Sequence, residues 1–255
     1  MGMKQFLVMM AAVVLVGCSN ETPEASQAAQ AEAKVTPAPS PEPTPVSPAD
    51  EKLIADPIVE KKVRKSLKKP NGKLTIADLE KVTRLDLSFT KITDAGLKEV
   101  DKLQQLTALG LDNTQITDAG LKEAAKLQQL TTLYFDNTQI TDAGLKEVAK
   151  LQQLKRLFLN GTKITDAGLK EVAKLQQLTH LSLPPQITDE GLKEVAKLRN
   201  LTNLGFIDTK ITDKGVKEVA KMQKLTYLSL RDTQITDTNI AKLKKALPNC
   251  EIAGP

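Results

Sequence analysis

The sequence predicts an α/β solenoid: a right-handed horseshoe arc with a parallel sheet on its concave face and helices on its convex face. Three observations predict it. The phrase Ile-Thr-Asp recurs seven times, starting at Ile92, Ile116, Ile140, Ile164, Ile187, Ile211 and Ile235, in steps of 24, 24, 24, 23, 24 and 24 residues. A longer sentence surrounds it, Ile-Thr-Asp-Ala-Gly-Leu-Lys-Glu-Val-Ala-Lys-Leu-Gln-Gln-Leu followed by Thr-x-Leu-x-Leu. Within each copy the apolar spacing changes from alternation to a helical stripe. A fixed period in the twenties with leucines at fixed offsets marks a stack of small units.

Residues 1–17 read as an export signal, with Lys4 as a positive start, an apolar run from Phe6 to Val16 and the small Gly17. The run is shorter than the roughly 20 residues a spanning helix needs. Leu15-Val16-Gly17-Cys18 resembles the lipobox of bacterial lipoproteins, which implies that Cys18 becomes the first mature residue and carries the acyl chains. The alternative is an ordinary cleaved signal followed by an incidental cysteine. Phe6 at the sixth position rules out a myristoylation motif after Met1-Gly2. Ser19 implies, by the sorting rule of lipoproteins, the outer membrane where the host has one. Residues 18–50 form a tether rich in Ala, Pro, Glu, Ser and Thr. Such a segment buries too little apolar surface to offset its ordering entropy, and its proline-rich part should be extended.

Residues 51–73 form an N-terminal helical cap. Asp56 is placed to cap a helix, Pro57 suits its first turn, Val59, Val63 and Leu67 share a face, and Pro70-Asn71-Gly72 stops it. Between Asp50 and Lys73 eight basic residues face four acidic ones, which contributes to the formal net charge of +5. This surplus suits an acidic surface or lipid headgroups, or a solvated helix face.

Residues 74–234 are the repeats. The first, Leu74 to Thr90, is imperfect, with Leu85 and Leu87 in its strand. In the unit Leu106 to Gln129, Leu106, Leu109 and Leu111 follow L-x-x-L-x-L, which suits a short strand with alternate residues turned inward. Asp112-Asn113-Thr114 turns the chain, Ile116 enters the core, and Thr117-Asp118 offers oxygens to cap a helix. Leu121, Ala124 or Ala125, and Leu127 give that helix one apolar stripe. One unit buries too little to fold alone, so its neighbours must cover both flanks. Stacking adds a strand every ~4.8 Å. Residues 235–255 are the capping repeat, with Ile240, Leu243 and Leu247 on a last helix and Cys250 and Ile252 in a last strand. Cys250 takes a leucine slot and is expected to be buried, which leaves no disulfide.

With these residues in view, residues 74–252 resemble a bacterial leucine-rich repeat lipoprotein of the Ile-Thr-Asp-Ala-Gly-Leu type. The phrase is also similar to repeats of F-box leucine-rich proteins, although no F-box-like segment precedes it. The resemblance implies a leucine-rich repeat solenoid that binds a protein or peptide, and leaves the partner open. At the turn position usually held by Asn stand Thr90, Thr114, Thr138, Thr162, Thr209 and Thr233, so a hydroxyl replaces the asparagine ladder.

The helix halves are near copies, as in Lys98-Glu99, Lys122-Glu123, Lys146-Glu147 and Lys170-Glu171, whereas the strand halves vary between their leucines. Before the second leucine stand Arg84, Ala108, Thr132, Arg156, His180, Asn203 and Tyr227; after it stand Asp86, Gly110, Tyr134, Phe158, Ser182, Gly205 and Ser229. After the third slot come Ser88, Asp112, Asp136, Asn160, Pro184, Ile207 and Arg231. These side chains are expected to face the concave surface. Phe135 and Phe206 take leucine slots and belong to the core, Tyr134, Phe158 and Tyr227 point the other way, and Phe89 lies just past a strand. Tyr134 and Phe158 fall on adjacent strands beside Arg156 and His180, the composition of a binding hot spot. Two aromatics merely shielding each other is the competing account. The partner-binding set is Tyr134, Phe158, Arg156, His180, Asp136 and Tyr227. The fifth unit, with Leu183-Pro184-Pro185-Gln186-Ile187, is one residue short; it offers either a notch for a partner or ordinary loop variation.

No catalytic set, cofactor motif or metal motif assembles around the lone His180. The column Asp94, Asp118, Asp142, Asp166, Asp189, Asp213 and Asp237 lacks the spacing of calcium-binding β-rolls, and helix capping accounts for it. Interspersed charge on an exported chain argues against nucleic acid. The function expected is a non-enzymatic, membrane-anchored, monomeric module that holds a protein or peptide. The alternatives are a self-associating envelope spacer and an adhesin-like surface binder.

Overall fold

Each copy of the sentence folds once into strand, turn and helix. In the computed structural model, which describes residues 52–254, the strands are β1 (Arg84–Asp86), β2 (Ala108–Gly110), β3 (Thr132–Tyr134), β4 (Arg156–Phe158), β5 (His180–Leu183), β6 (Asn203–Phe206), β7 (Tyr227–Ser229) and β8 (Glu251–Ala253). They pair in parallel in chain order, as one eight-stranded sheet. The register never slips: Leu85, Leu109, Leu133, Leu157, Leu181, Leu204, Leu228 and Ile252 stand side by side. The signal at residues 1–17, the tether at 18–50 and lipid attachment at Cys18 lie outside the described residues.

The helices α1 (Pro57–Ser66), α2 (Ile76–Leu79), α3 (Asp94–Leu97), α4 (Asp118–Ala124), α5 (Asp142–Val148), α6 (Leu169–Val172), α7 (Asp189–Val195), α8 (Val216–Val219) and α9 (Asp237–Ala246) alternate with the strands from α2 onward. Most are too short to stand alone in water. Burial holds them: Leu97, Leu121, Leu145, Leu169 and Leu192 on one face, the seven isoleucines from Ile92 to Ile235, and the strand leucines are almost wholly buried in one continuous core. Phe135 and Phe206 are fully buried in their leucine slots.

The aspartate column does not cap its own helices, which corrects the sequence expectation. The preceding threonine does: the hydroxyls of Thr117, Thr141 and Thr188 accept from the N–H groups of Ala119, Ala143 and Glu190. Six of the seven aspartates reach instead into the following repeat. Asp94, Asp118, Asp142, Asp166 and Asp189 accept both the backbone N–H and the hydroxyl of Thr117, Thr141, Thr165, Thr188 and Thr212. Asp213 does the same for Thr236. The glycine of the phrase follows from this bridge. A Cβ on Gly120, Gly144, Gly168, Gly191 or Gly215 would collide with the carboxylate of the preceding repeat.

The threonine turn position is filled as expected by a hydroxyl, but the bond stays inside the repeat. Thr90, Thr114, Thr138, Thr162 and Thr233 donate to the carbonyls of Leu87, Leu111, Phe135, Leu159 and Leu230 at 2.6–2.7 Å. Thr209 is 3 % exposed and its hydroxyl has no partner among the described residues.

Asp56 caps α1, accepting from Ile58 and Val59, with Pro57 at the first position. The helix ends earlier than Pro70. Lys68 turns left-handed (φ 53°) and the N–H groups of Lys68 and Lys69 return to the carbonyls of Lys65 and Arg64, a C-terminal motif that usually takes glycine. At the other end Cys250 is free and packs against the core, but is only half-buried. The expectation of a buried leucine slot fails on register: Ile252 takes the slot beside Leu228, so Cys250 falls level with Thr226, just before β8. In the shortened fifth unit the Gln186 side chain donates to the carbonyls of Thr162 and Ile164. It replaces the backbone bond that Gln139, Lys163 and Lys210 make to the isoleucine of the preceding repeat.

Candidate binding surface

A three-residue strand with its central leucine in the core turns both flanking side chains to the sheet's outer face. Two rows result. Tyr134 on β3 pairs in register with Phe158 on β4, and the rings stack at a centroid distance of 4.6 Å and an interplanar angle of 8°. In the neighbouring row Arg156 on β4 pairs with His180 on β5. Burial, and then the Arg156 charge, lower the His180 pKa, so the ring favours its neutral form. Its Nδ1 lies 2.9 Å from the Thr179 hydroxyl. These four side chains therefore stand together. Tyr227, 37 % exposed, lies in the His180 row but two strands further on, and the structure does not bring it to the cluster.

Asp136 stands beside the stack in a ladder of its own. The Asp112 N–H donates to the Ser88 hydroxyl, the Asp136 N–H to Asp112 Oδ1 at 2.9 Å, and the Asn160 N–H to Asp136 Oδ1 at 2.7 Å. The next position is Pro184, which has no N–H. The ladder stops there, and Asn160 Oδ1 is left buried without a donor among the described residues. Along this row the carboxyls are close. Burial raises the Asp112 pKa, assisted by Asp86 and opposed by the bond from Asp136. Burial pushes Asp136 up to about 6, against the Asn160 backbone bond and with the Asp112 charge adding to it.

Sequence reasoning missed a second feature. Where α1 meets the first strands, a hollow of about 600 Å³ opens on the same face and reaches Tyr134. Lys62, Lys65 and Ser66 of α1 form one wall, Arg84 and Asp86 of β1 another, and Ala108 and Gly110 leave its floor low. Phe89 stands at its side, 79 % exposed and at φ 58°. The equivalent left-handed positions hold Asn113, Asn137, Gly161, Asp208 and Asp232, residues that tolerate this backbone far better than phenylalanine. One aromatic in a column of Asn, Asp and Gly, and one Ala–Gly pair among larger neighbours, were the signals available in the sequence. Among the described residues no group of acidic, His or Cys side chains could hold a metal, and no helix is long and apolar enough to cross a membrane.

Comparison with known proteins fits this architecture. The chain is similar to the internalin inlF of Listeria monocytogenes, at 26 % identity and a TM-score of 0.62 over 79 % of this chain and 56 % of that one. It is similar to internalin C2 of the same organism, at 29 % identity and a TM-score of 0.60 over 78 % and 83 %. A leucine-rich repeat protein of Leptospira interrogans aligns at 25 % identity and a TM-score of 0.50, over 69 % of this chain and 50 % of that one. The chain thus spans little more than half of inlF. No curated protein matches it. The family model described as a leucine-rich repeat region matches residues 73–250, and the chain belongs to the leucine-rich repeat proteins.

Proposed function

We propose that this protein is a non-enzymatic binding module, anchored to the bacterial cell envelope through acyl chains on Cys18, that presents the outer face of its sheet as a concave recognition surface to a protein or peptide. The observation that carries the reading is the stacked Tyr134–Phe158 pair, half-buried beside Arg156 and His180. A flat aromatic pair offers a large apolar area at little entropic cost, and a neighbouring Arg adds directional donors; such clusters dominate binding energy at interfaces. The contrast between near-identical helix halves and varied strand halves supports the same face. The adhesin-like version of this reading differs only in placing the partner on another cell.

Photo-crosslinking on intact cells tests it. A distinct adduct formed by the parent protein should disappear in the Tyr134→Ala/Phe158→Ala variant while circular dichroism stays unchanged. The same adduct from the double variant removes this surface from consideration, and self-adducts alone favour an envelope spacer. Cys18→Ser should move the protein from the membrane to the soluble fraction; continued membrane retention would refute the lipid anchor.

A further inference from the structure

We propose that the hollow between α1 and β1–β3 is the docking site for an acidic segment of a partner chain, whose carboxylates meet Lys62, Lys65 and Arg84 while an adjoining apolar side chain fills the space over Gly110 between Phe89 and Tyr134. This inference rests on the reading of the sheet's outer face as a recognition surface and names the chemistry of what that surface takes.

Charge is the first argument. Lys62 and Lys65 are one helical turn apart on the same face of α1, and with Arg84 they line the hollow. None of the three side chains has a hydrogen bond or ion pair among the described residues. Several other cations of the cap are committed: Arg64 and Lys52 to Glu60, and Lys69 to Asp78. Two carboxylates also line the hollow, Asp86, whose charge interacts with both lysines, and Asp112, whose pKa burial raises, so three cations face two carboxylates and the lining keeps a positive surplus. Lys62 and Lys65 belong to the basic excess visible in the sequence before the repeats, and Arg84 of β1 adds to them.

Shape is the second. Gly110 keeps the floor open because a Cβ there would lie 2.8 Å from Asp86 Oδ1 and 2.9 Å from Ser88 Oγ. Phe89 is the third. An exposed phenyl on a left-handed residue carries backbone strain with no burial in return, a combination that clusters at ligand sites. Anionic lipid headgroups would also meet the three cations. A planar membrane does not enter a hollow of about 600 Å³, however, whereas an apolar side chain next to a carboxylate does.

Fluorescence anisotropy with the purified protein tests the assignment. The probe is a fluorescein-labelled eight-residue peptide of glutamates around a central phenylalanine, and the control replaces every glutamate by lysine. The acidic peptide should bind at least about tenfold more tightly than the basic one, with affinity falling as salt rises. Lys62→Glu/Lys65→Glu should abolish binding. Phe89→Asn, which places here the residue found at 113 and 137, should weaken it about tenfold without loss of fold. Equal binding of both peptides, or binding unchanged by these variants, overturns the proposal. So does retention on phosphatidylglycerol vesicles that the lysine variant abolishes while no peptide binds. If the cell crosslink still depends on Tyr134 and Phe158, such a result removes the acidic-segment assignment and leaves the proposed function standing.

Discussion

Asp118 holds Thr141 of the next repeat by two bonds at once: Oδ1 accepts the backbone N–H at 2.9 Å and Oδ2 the hydroxyl at 2.6 Å. The same hydroxyl accepts from the Ala143 N–H at 3.2 Å and so starts its own helix. Gly144 lies under the carboxylate, where a Cβ has no room. Threonine, aspartate and glycine of the recurring phrase are therefore parts of one device that spans two repeats. It couples neighbours by directional bonds in addition to apolar stacking.

A double-mutant cycle checks this. Asp118→Ala should cost about 1–3 kcal/mol, because it removes two bonds to a carboxylate and leaves the Thr141 N–H without its partner. Gly144→Ala alone should cost about 1–3 kcal/mol through steric overlap. In the Asp118→Ala background the closest clash is gone and only Leu121 Cδ1 and Ile140 Cγ2, at 3.0 and 3.1 Å, still have to give, so the two effects should fall short of their sum by at least about 1 kcal/mol in urea unfolding. Simple additivity would mean that the carboxylate does not dictate the glycine.

Periodicity made the fold legible because a 24-residue repeat admits few ways to bury Leu109, Ile116 and Leu121 together. The same periodicity placed Tyr134 beside Phe158 and Arg156 beside His180, since equal offsets on adjacent parallel strands must be neighbours. What it could not supply is whatever depends on contact between unlike elements. The hollow needs α1 beside β1, and the role of Asp118 needs the next repeat's threonine within hydrogen-bond reach. Local logic assigned that aspartate to its own helix because an acidic residue at a helix start is favourable by itself. Asn160 lost its donor through a proline 24 residues away, which no local window reveals.

The threonine column yields a contrast of sign. Thr138 is 1 % exposed and donates to the Phe135 carbonyl at 2.7 Å. Thr138→Val leaves that carbonyl short of a donor and should cost about 1–2 kcal/mol. Thr209 is as deeply buried, but its hydroxyl is unpartnered, so Thr209→Val should be neutral or stabilising by up to about 1 kcal/mol. Equal destabilisation by both variants in thermal or urea unfolding would show that Thr209 has a partner in solution.

Pro184→Ala restores an N–H opposite Asn160 Oδ1. A donor for a buried acceptor is worth about 1–3 kcal/mol, while replacing proline loosens the unfolded chain by about 0.4–1 kcal/mol. The first term wins, so the variant should be the more stable one. In an Asn160→Ala background the gain should vanish and the entropic loss remain. A Pro184→Ala protein less stable than its parent would mean that the missing donor is not the reason for the orphaned oxygen.

Asp136 gives the outer face a pH dependence. Its carboxyl is pushed up to about 6 from 3.8, first by burial and also by Asp112. Between about pH 4 and 6 the folded protein holds a proton that the unfolded chain has released, so this group's contribution falls as pH rises through that window. Above it, the ionised carboxylate carries its full penalty. A shift of this size would convert to nearly 3 kcal/mol, but solvent reaches the half-buried group and reduces the effect to about 1 kcal/mol. Asp136→Asn keeps a carbonyl oxygen for the Asn160 N–H and cannot ionise. It should be more stable than the parent by about 1 kcal/mol at pH 7.5 and indistinguishable from it at pH 4, in urea unfolding at the two pH values. A difference that stays constant with pH would show that packing, rather than the charge, distinguishes the two proteins.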